Sequence, residues 1–330
     1  MQSVYLGQSG LKISELGFGT MSFGKEADAE MSAKMYARCR DAGIHLFDCA
    51  DVYAGGRSEE ILGKLCRGHR DEVVLATKGY FPTGDGPNDR GSTRFHLVRA
   101  VEASLRRLGT DRIDLYYLHR MDDQTPLSQT LRALDDMVRQ GKIVYVAVSN
   151  FAAWQVTKAL GLAALRGFAP LVAIQPMYNL LKRQAEVEIL PMANSEGLGV
   201  LPYSPLAGGL LTGKYGVDRR PDAGRIVDNK MYGVRYGAPD NFEVAERFCA
   251  MAAELGHHPV SLAIRWVASH PAVTAPLIGA RNLTQLEPAL QSLDVAMDAD
   301  LRARISALSI TPPPATDRNE EKSAHNYGSR

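Results

Sequence analysis

The chain has little cysteine, no bias of charge and no long apolar run, and each lack excludes something. Its four cysteines (Cys39, Cys49, Cys66 and Cys249) stand far apart, with no C-x-x-C pair. Neither a disulfide frame nor a cysteine zinc site is expected, and reduced thiols suit a cytoplasmic protein. Lys plus Arg number 38 against 37 Asp plus Glu, a formal charge of +1. That balance gives no broad basic field for nucleic acid or an anionic membrane surface. No stretch approaches the ~20 apolar residues of a membrane span, and the opening residues MQSVYLGQSGLKIS lack the apolar centre of a signal peptide. Nucleic acid and membrane are therefore not expected as partners. Homo-oligomerisation stays open, because no interface motif is legible.

What is present is an ordinary globular composition, 45% hydrophobic and 23% charged over 330 residues. A chain of that length forms either two domains or one large α/β barrel. Short aliphatic runs at 16–20, 45–48, 73–77, 115–119, 143–149, 171–175, 200–203 and 274–278 alternate with amphipathic helical segments. Glycines Gly43, Gly109 and Gly141 stand where helices end. Residues 4–6 and 11–14 flank Gly-Gln-Ser-Gly and read as a hairpin. No linker or shift of composition divides the chain. The expected fold is one (β/α)8 TIM barrel over residues 1–310. It carries an N-terminal hairpin, a long irregular loop after strand seven (204–240), extra C-terminal helices, and a polar, proline-containing tail over 311–330.

Barrel chemistry belongs to the C-terminal ends of strands and the loops that follow. Read in order, those positions carry Asp48, Asp51 and Tyr53 after strand two, Lys78 after strand three and His119 after strand four. Each alone has a bland reading as cap, rim or surface residue. Together they have a chemistry. A phenol titrates near ~10, a nearby ammonium lowers it, and a carboxylate fixes the ammonium. A histidine beside them can hold a carbonyl oxygen while charge develops there. Asp48, Tyr53, Lys78 and His119 thus form a candidate proton-donating, oxyanion-stabilising site, and Asp51 reads as a loop residue outside it. No activated nucleophile and no metal-ligand cluster is legible. Two phosphate-loop near misses carry little: Gly17-Phe18-Gly19 reads as a tight turn, and Gly208 to Lys214 fits G-x-x-x-x-G-K only with Tyr215 at the Ser/Thr position.

The segments GLKISELGFGT, LFDCADVYAGGRSEEILG, ATK, DRIDLYYLHR, VAVSNF, QPMYN and YSPLAGGLLTGKY follow one another along the chain. In that order the chain resembles the aldo-keto reductase superfamily, over residues 2–310, and within it bacterial aldo/keto reductases and potassium-channel β subunits. The resemblance implies NAD(P)H-dependent reduction of a small-molecule aldehyde or ketone, with Tyr53 as general acid, Lys78 and Asp48 tuning it, and His119 orienting the carbonyl. It further implies that Ser149, Asn150 and Gln175 hold a nicotinamide carboxamide, that Tyr203 stacks on the ring, and that Ser204, Pro205, Leu206 and Gly208 receive the pyrophosphate. Lys214 and Arg225 would lie over the phosphates, and Gly279, Arg281 and Gln285 at the adenosine end, Arg281 pairing a 2′-phosphate. Pro288 and Ala289 replace an acid and an asparagine usual in the family, so NADP(H) is expected to be held less tightly than usual and NAD(H) to be admitted.

For the substrate, Tyr80, Phe81, Arg120, Met121, Met231, Tyr232 and Tyr236 offer an apolar, aromatic wall suited to a bulky xenobiotic or natural-product ketone. The alternative implied by the channel-subunit likeness is a cofactor-sensing binding module, for which an accessory segment ahead of the hairpin is expected.

Overall fold

A hairpin of β1 (Ser3–Tyr5) and β2 (Lys12–Ser14) precedes eight further strands in the computed structural model, which describes residues 1–315. They are β3 (Gly17–Gly19), β4 (Leu46–Asp48), β5 (Val74–Gly79), β6 (Ile113–Leu118), β7 (Ile143–Ser149), β8 (Leu171–Gln175), β9 (Gly199–Val200) and β10 (Leu277–Ile278). All pair in parallel, in the order β10-β3-β4-β5-β6-β7-β8-β9. Backbone N–H groups of Thr274 and Leu277 donate to the carbonyls of Val200 and Pro202 at 2.9 Å each, joining the two ends of the sheet. The result is the expected (β/α)8 barrel.

Side-chain alternation explains both the core and the site. Leu46, Val74, Ala76, Leu115, Tyr117, Ala147 and Ala173 point inward, while their neighbours Phe47, Leu75, Tyr116, Val148 and Ile174 pack outward beneath the helices. Both layers are apolar, so truncating an interior residue such as Leu115 to Ala costs about 2–5 kcal/mol. The same parity brings Asp48, Lys78, Ser149 and Gln175 to the last inward positions of β4, β5, β7 and β8, and His119 to the position just after β6. At the other end the hairpin plugs the barrel. Leu6 and Ile13 join the inward cluster fully buried, and Gln8 N–H donates to the Gly197 carbonyl at 2.9 Å.

Several elements differ from expectation. Gly17-Phe18-Gly19 is strand, not turn. A Cβ on Gly17 would sit 2.6 Å from Leu277 Cδ2 and 2.9 Å from Leu46 Cδ2, so glycine is what lets β3 lie close between its neighbours. The seventh and eighth barrel strands are two residues each, because Pro202 and Pro276 bring no N–H to the ladder. Between β8 and β9 the chain forms a 3-10 turn, Gln184–Glu186, and then a helix, Ile189–Ser195. The long loop is less irregular than expected: it holds a 3-10 turn, Ala207–Thr212, and short helices Arg225–Asp228 and Lys230–Tyr236.

A last helix, Ala299–Ser306, starts where Asp298 Oδ1 accepts from Leu301 N–H at 2.8 Å. Of the expected tail, residues 316–330 lie outside the described residues, and Thr311 stands by Arg183. Among the described residues no helix is long and apolar enough to cross a membrane.

Candidate active site

The strand ends open on a cleft of about 660 Å³. At its centre Lys78, fully buried, pairs with Asp48 Oδ1 and donates to the Cys49 carbonyl at 2.6 Å. An ammonium at that depth is costly unless paired, and Asp48 keeps it charged. Burial pushes the Asp48 carboxyl up, while Lys78 and the Gln175 amide pull it down. The ammonium lies 5.1 Å from the Tyr53 ring centroid and 5.6 Å from that of Tyr117. The sequence led us to expect a net lowering of the Tyr53 phenol. Instead burial outweighs the ammonium and pushes the phenol up to about 12, with Lys78 opposing the rise. The Tyr53 phenol is therefore protonated at neutral pH.

His119 is buried edge-on to Phe81, their centroids 4.8 Å apart, and to Tyr53 at 6.2 Å. Burial and then Lys78 lower its imidazole to about 3, so the ring is neutral. Its Nδ1 is buried without a hydrogen-bond partner among the described residues. An orphaned N–H costs more than an orphaned lone pair, so the proton belongs on Nε2, making that nitrogen the donor.

Asp51 is not the loop residue expected of it. It is buried, with neither carboxyl oxygen partnered among the described residues. The neighbouring Glu59 takes both Thr77 Oγ1 and Arg107 Nε, each at 2.6 Å. Burial and the Glu59 charge push the Asp51 carboxyl up to about 7.

A chain of hydrogen bonds runs round the rim. Gln175 Nε2 donates to Asp48 Oδ2 at 2.8 Å, and Ser149 Oγ donates to the Gln175 carbonyl at 2.9 Å. Asn150 Nδ2 donates to Ser149 Oγ at 3.1 Å and to the His119 carbonyl at 2.9 Å. Tyr203 Oη donates to Asn150 Oδ1 at 2.8 Å. Asn150 holds a left-handed φ of 56°, and Ser204 and Ala207 hold 58° and 51°. Non-glycine residues in that region cost about 1–3 kcal/mol each and collect at functional sites.

Farther along, the Lys214 ammonium stands 3.3 Å from where a Gly224 Cβ would be and 3.6 Å from where a Gly209 Cβ would be. Burial, then Arg281 and Arg225, lower that ammonium. Three crowded cations beside a strained, glycine-rich turn suit phosphate groups. A nicotinamide dinucleotide therefore fits these residues.

The cleft is also lined by Pro205, Leu206, Gly208, Gly279 and Gln285, and by Phe81, Arg120, Met231 and Tyr232. Three residues expected in the substrate wall do not line it. Tyr236 is fully buried behind Tyr232, accepting from Asn179 Nδ2 at 3.1 Å. Tyr80 packs on Phe81 and under Arg120, and Met121 packs on the core. Residues that sequence reasoning missed include Met21, Arg235, His258 and Ile264. Arg235 lies one turn after Met231, a spacing that could have flagged it. His258 and Ile264 carried no local signal.

A barrel with an ion pair, a phenol and an imidazole at its rim, facing a cationic cleft, defines an enzyme that works on small molecules at its strand ends. The sequence pattern of the Aldo/keto reductase family matches residues 15–310. The chain belongs to that family, and it is an NAD(P)H-dependent oxidoreductase. It is 38% identical to the Bacillus subtilis (strain 168) protein described as the uncharacterized oxidoreductase YrpG, over 97% of this chain and 99% of that one. It is 36% identical to the probable voltage-gated potassium channel subunit beta of Oryza sativa subsp. japonica, over 96% and 99%. To the L-glyceraldehyde 3-phosphate reductase of Escherichia coli (strain K12) it is 34% identical, over 89% and 88%.

Proposed function

We propose that the chain reduces an aldehyde or ketone to the alcohol with NADPH, and that Tyr53 gives the proton. The observation that carries this reading is the buried Lys78 ammonium, held by Asp48 and lying against the Tyr53 ring. A bound nicotinamide dinucleotide supplies a hydride to the carbonyl carbon. His119 Nε2–H donates to the carbonyl oxygen and positions it. Tyr53 then gives its hydroxyl proton to that oxygen, its own O–H bond breaking as the alcohol's forms. The phenolate left behind is stabilised by Lys78 and reprotonated from water. Asp48 fixes the ammonium, and Gln175 fixes Asp48.

At the dinucleotide, Ser149 and Asn150 orient the carboxamide and Tyr203 stacks on the ring. One N–H of the Gln175 amide is engaged by Asp48, which leaves its Oε1 and its second N–H for the carboxamide. Arg281 favours NADPH over NADH through the 2′-phosphate, Lys214 and Arg225 hold either dinucleotide by its pyrophosphate, and the Pro288 ring at the adenosine end leaves room for both. Phe81, Met231 and Tyr232 suit a bulky or cyclic carbonyl. Buried free thiols at Cys39, Cys49 and Cys66 accord with a cytoplasmic location.

The likeness to channel β subunits favours a second reading, a module that holds the dinucleotide and senses its redox state. A panel of aldehydes and ketones, followed by NADPH absorbance, separates the two. Steady turnover of any carbonyl supports the reductase. Tight dinucleotide binding without turnover across the panel supports the module.

A further inference from the structure

Arg281 reaches the adenosine end of the cleft, and the group it meets there is an acid. Its Nη2 lies 3.7 Å from Glu26 Oε1, and the two side chains are only 31% and 24% exposed. The turn that carries Glu26 is built to bring it there. Gly24 N–H donates to the Ala27 carbonyl at 2.8 Å, and Ala27 N–H to the Ser22 carbonyl at 2.9 Å. Gly24 takes a left-handed φ of +73° to close that loop. Ser22 Oγ then donates to the Ala280 carbonyl at 2.6 Å, fixing the whole turn on the residue before Arg281.

We propose that Glu26 sets the choice between the two nicotinamide dinucleotides, competing with a 2′-phosphate for Arg281 and accepting a hydrogen bond from a free ribose 2′-hydroxyl. Proteins meet that ribose in one of two ways, with an acid for the hydroxyl or an arginine for the phosphate. Here both stand together. A 2′-phosphate must take Arg281 from Glu26 and then sit beside a carboxylate. A 2′-hydroxyl meets an acceptor already in place. Lys214 and Arg225 serve both dinucleotides equally through the pyrophosphate, so they raise affinity without discriminating. Glu26 therefore narrows the NADPH preference that Arg281 alone would create, and the chain takes both.

Resting as it does on the proposed dinucleotide site, this assignment is tested by binding as well as turnover. Isothermal titration of NADP⁺ and NAD⁺ into the wild-type protein, Glu26→Gln and Glu26→Lys reads the ratio of the two dissociation constants. A partly exposed charge pair moves an affinity by about three- to tenfold. Glu26→Gln is expected to tighten NADP⁺ and weaken NAD⁺, moving the ratio about tenfold toward NADP⁺. Glu26→Lys, which adds a cation at the same place, moves it further the same way. The ratio of kcat/KM for NADPH and NADH should follow, and thermal melts of both variants check that they are folded. A ratio unmoved by both substitutions, or moved toward NAD⁺, overturns the role of Glu26 while leaving the reductase reading intact. A wild-type protein that binds neither dinucleotide overturns both.

Discussion

Gln175 Nε2 donates to Asp48 Oδ2 at 2.8 Å, leaving Asp48 Oδ1 for the Lys78 ammonium. The amide on β8 thereby braces an ion pair formed between β4 and β5, across the width of the barrel. Its own carbonyl accepts from Ser149 on β7, so four strands are tied at one level. Replacing Gln175 with Leu strands one oxygen of a buried carboxylate. That should cost about 1–3 kcal/mol, read as a fall in the urea midpoint. Gln175→Glu should cost more, because it sets a second carboxylate against Asp48. An unchanged midpoint in both would mean that Asp48 has no need of this donor.

Tyr53→Phe keeps the ring that packs against Lys78 and removes the proton. If Tyr53 is the general acid, turnover of any accepted carbonyl should fall by about 10²–10⁴-fold while the dissociation constant for NADP⁺ stays as it was. Single-turnover absorbance and a parallel titration measure the two. Near-normal turnover would remove Tyr53 from the chemistry.

The strand ends were legible because a strand buried on both faces reads as an aliphatic run, and the polar residue that ends it stands out. Asp48, Lys78 and His119 were found in that way, and parity along each strand brings them to one layer. The burial of Asp51 was not legible. An acid two residues before a tyrosine in a turn looks like surface, and only the packed fold reveals that Glu59 has taken the Arg107 guanidinium. The helices Arg225–Asp228 and Lys230–Tyr236 were missed for a different reason. Four and seven residues are too few for a periodicity, although Tyr232 and Tyr236, one turn apart and both buried, carried a faint one. Tyr236 was assigned to the cleft because it is aromatic and lies in the loop. Its hydroxyl accepts from Asn179 instead, and its ring is buried behind Tyr232.

Asp51 also makes a prediction about pH. Its carboxyl titrates near ~3.9 in an unfolded chain and is pushed up to about 7 in the fold. Between those values the folded state binds the extra proton, so stability falls as pH rises through that window. At about 1.36 kcal/mol per pKa unit the loss above pH 7 is on the order of 4 kcal/mol. Asp51→Asn, which mimics the protonated carboxyl, should raise the melting temperature most at pH 8, less at pH 5, and not at pH 3.5. Equal shifts at all three pH values would show that burial of this charge is not the source of the effect.

Lys214 offers a separate test of the cationic end of the cleft. Burial, then Arg281 and Arg225, already lower its ammonium, so its charge is held at a cost that a bound anion would relieve. A pyrophosphate stays the same throughout hydride transfer, which makes its contact with Lys214 one of uniform binding: it acts on the ground state and the transition state alike. Lys214→Met should therefore raise the dissociation constant and KM for NADPH, by about 10–100-fold for a charge-assisted hydrogen bond, and leave kcat almost unchanged. It should also flatten the dependence of KM on ionic strength, since one screened cation is gone. A kcat that falls in step with kcat/KM would place Lys214 nearer the reacting carbonyl than the phosphates, and the orientation of the dinucleotide in the cleft would have to be reversed.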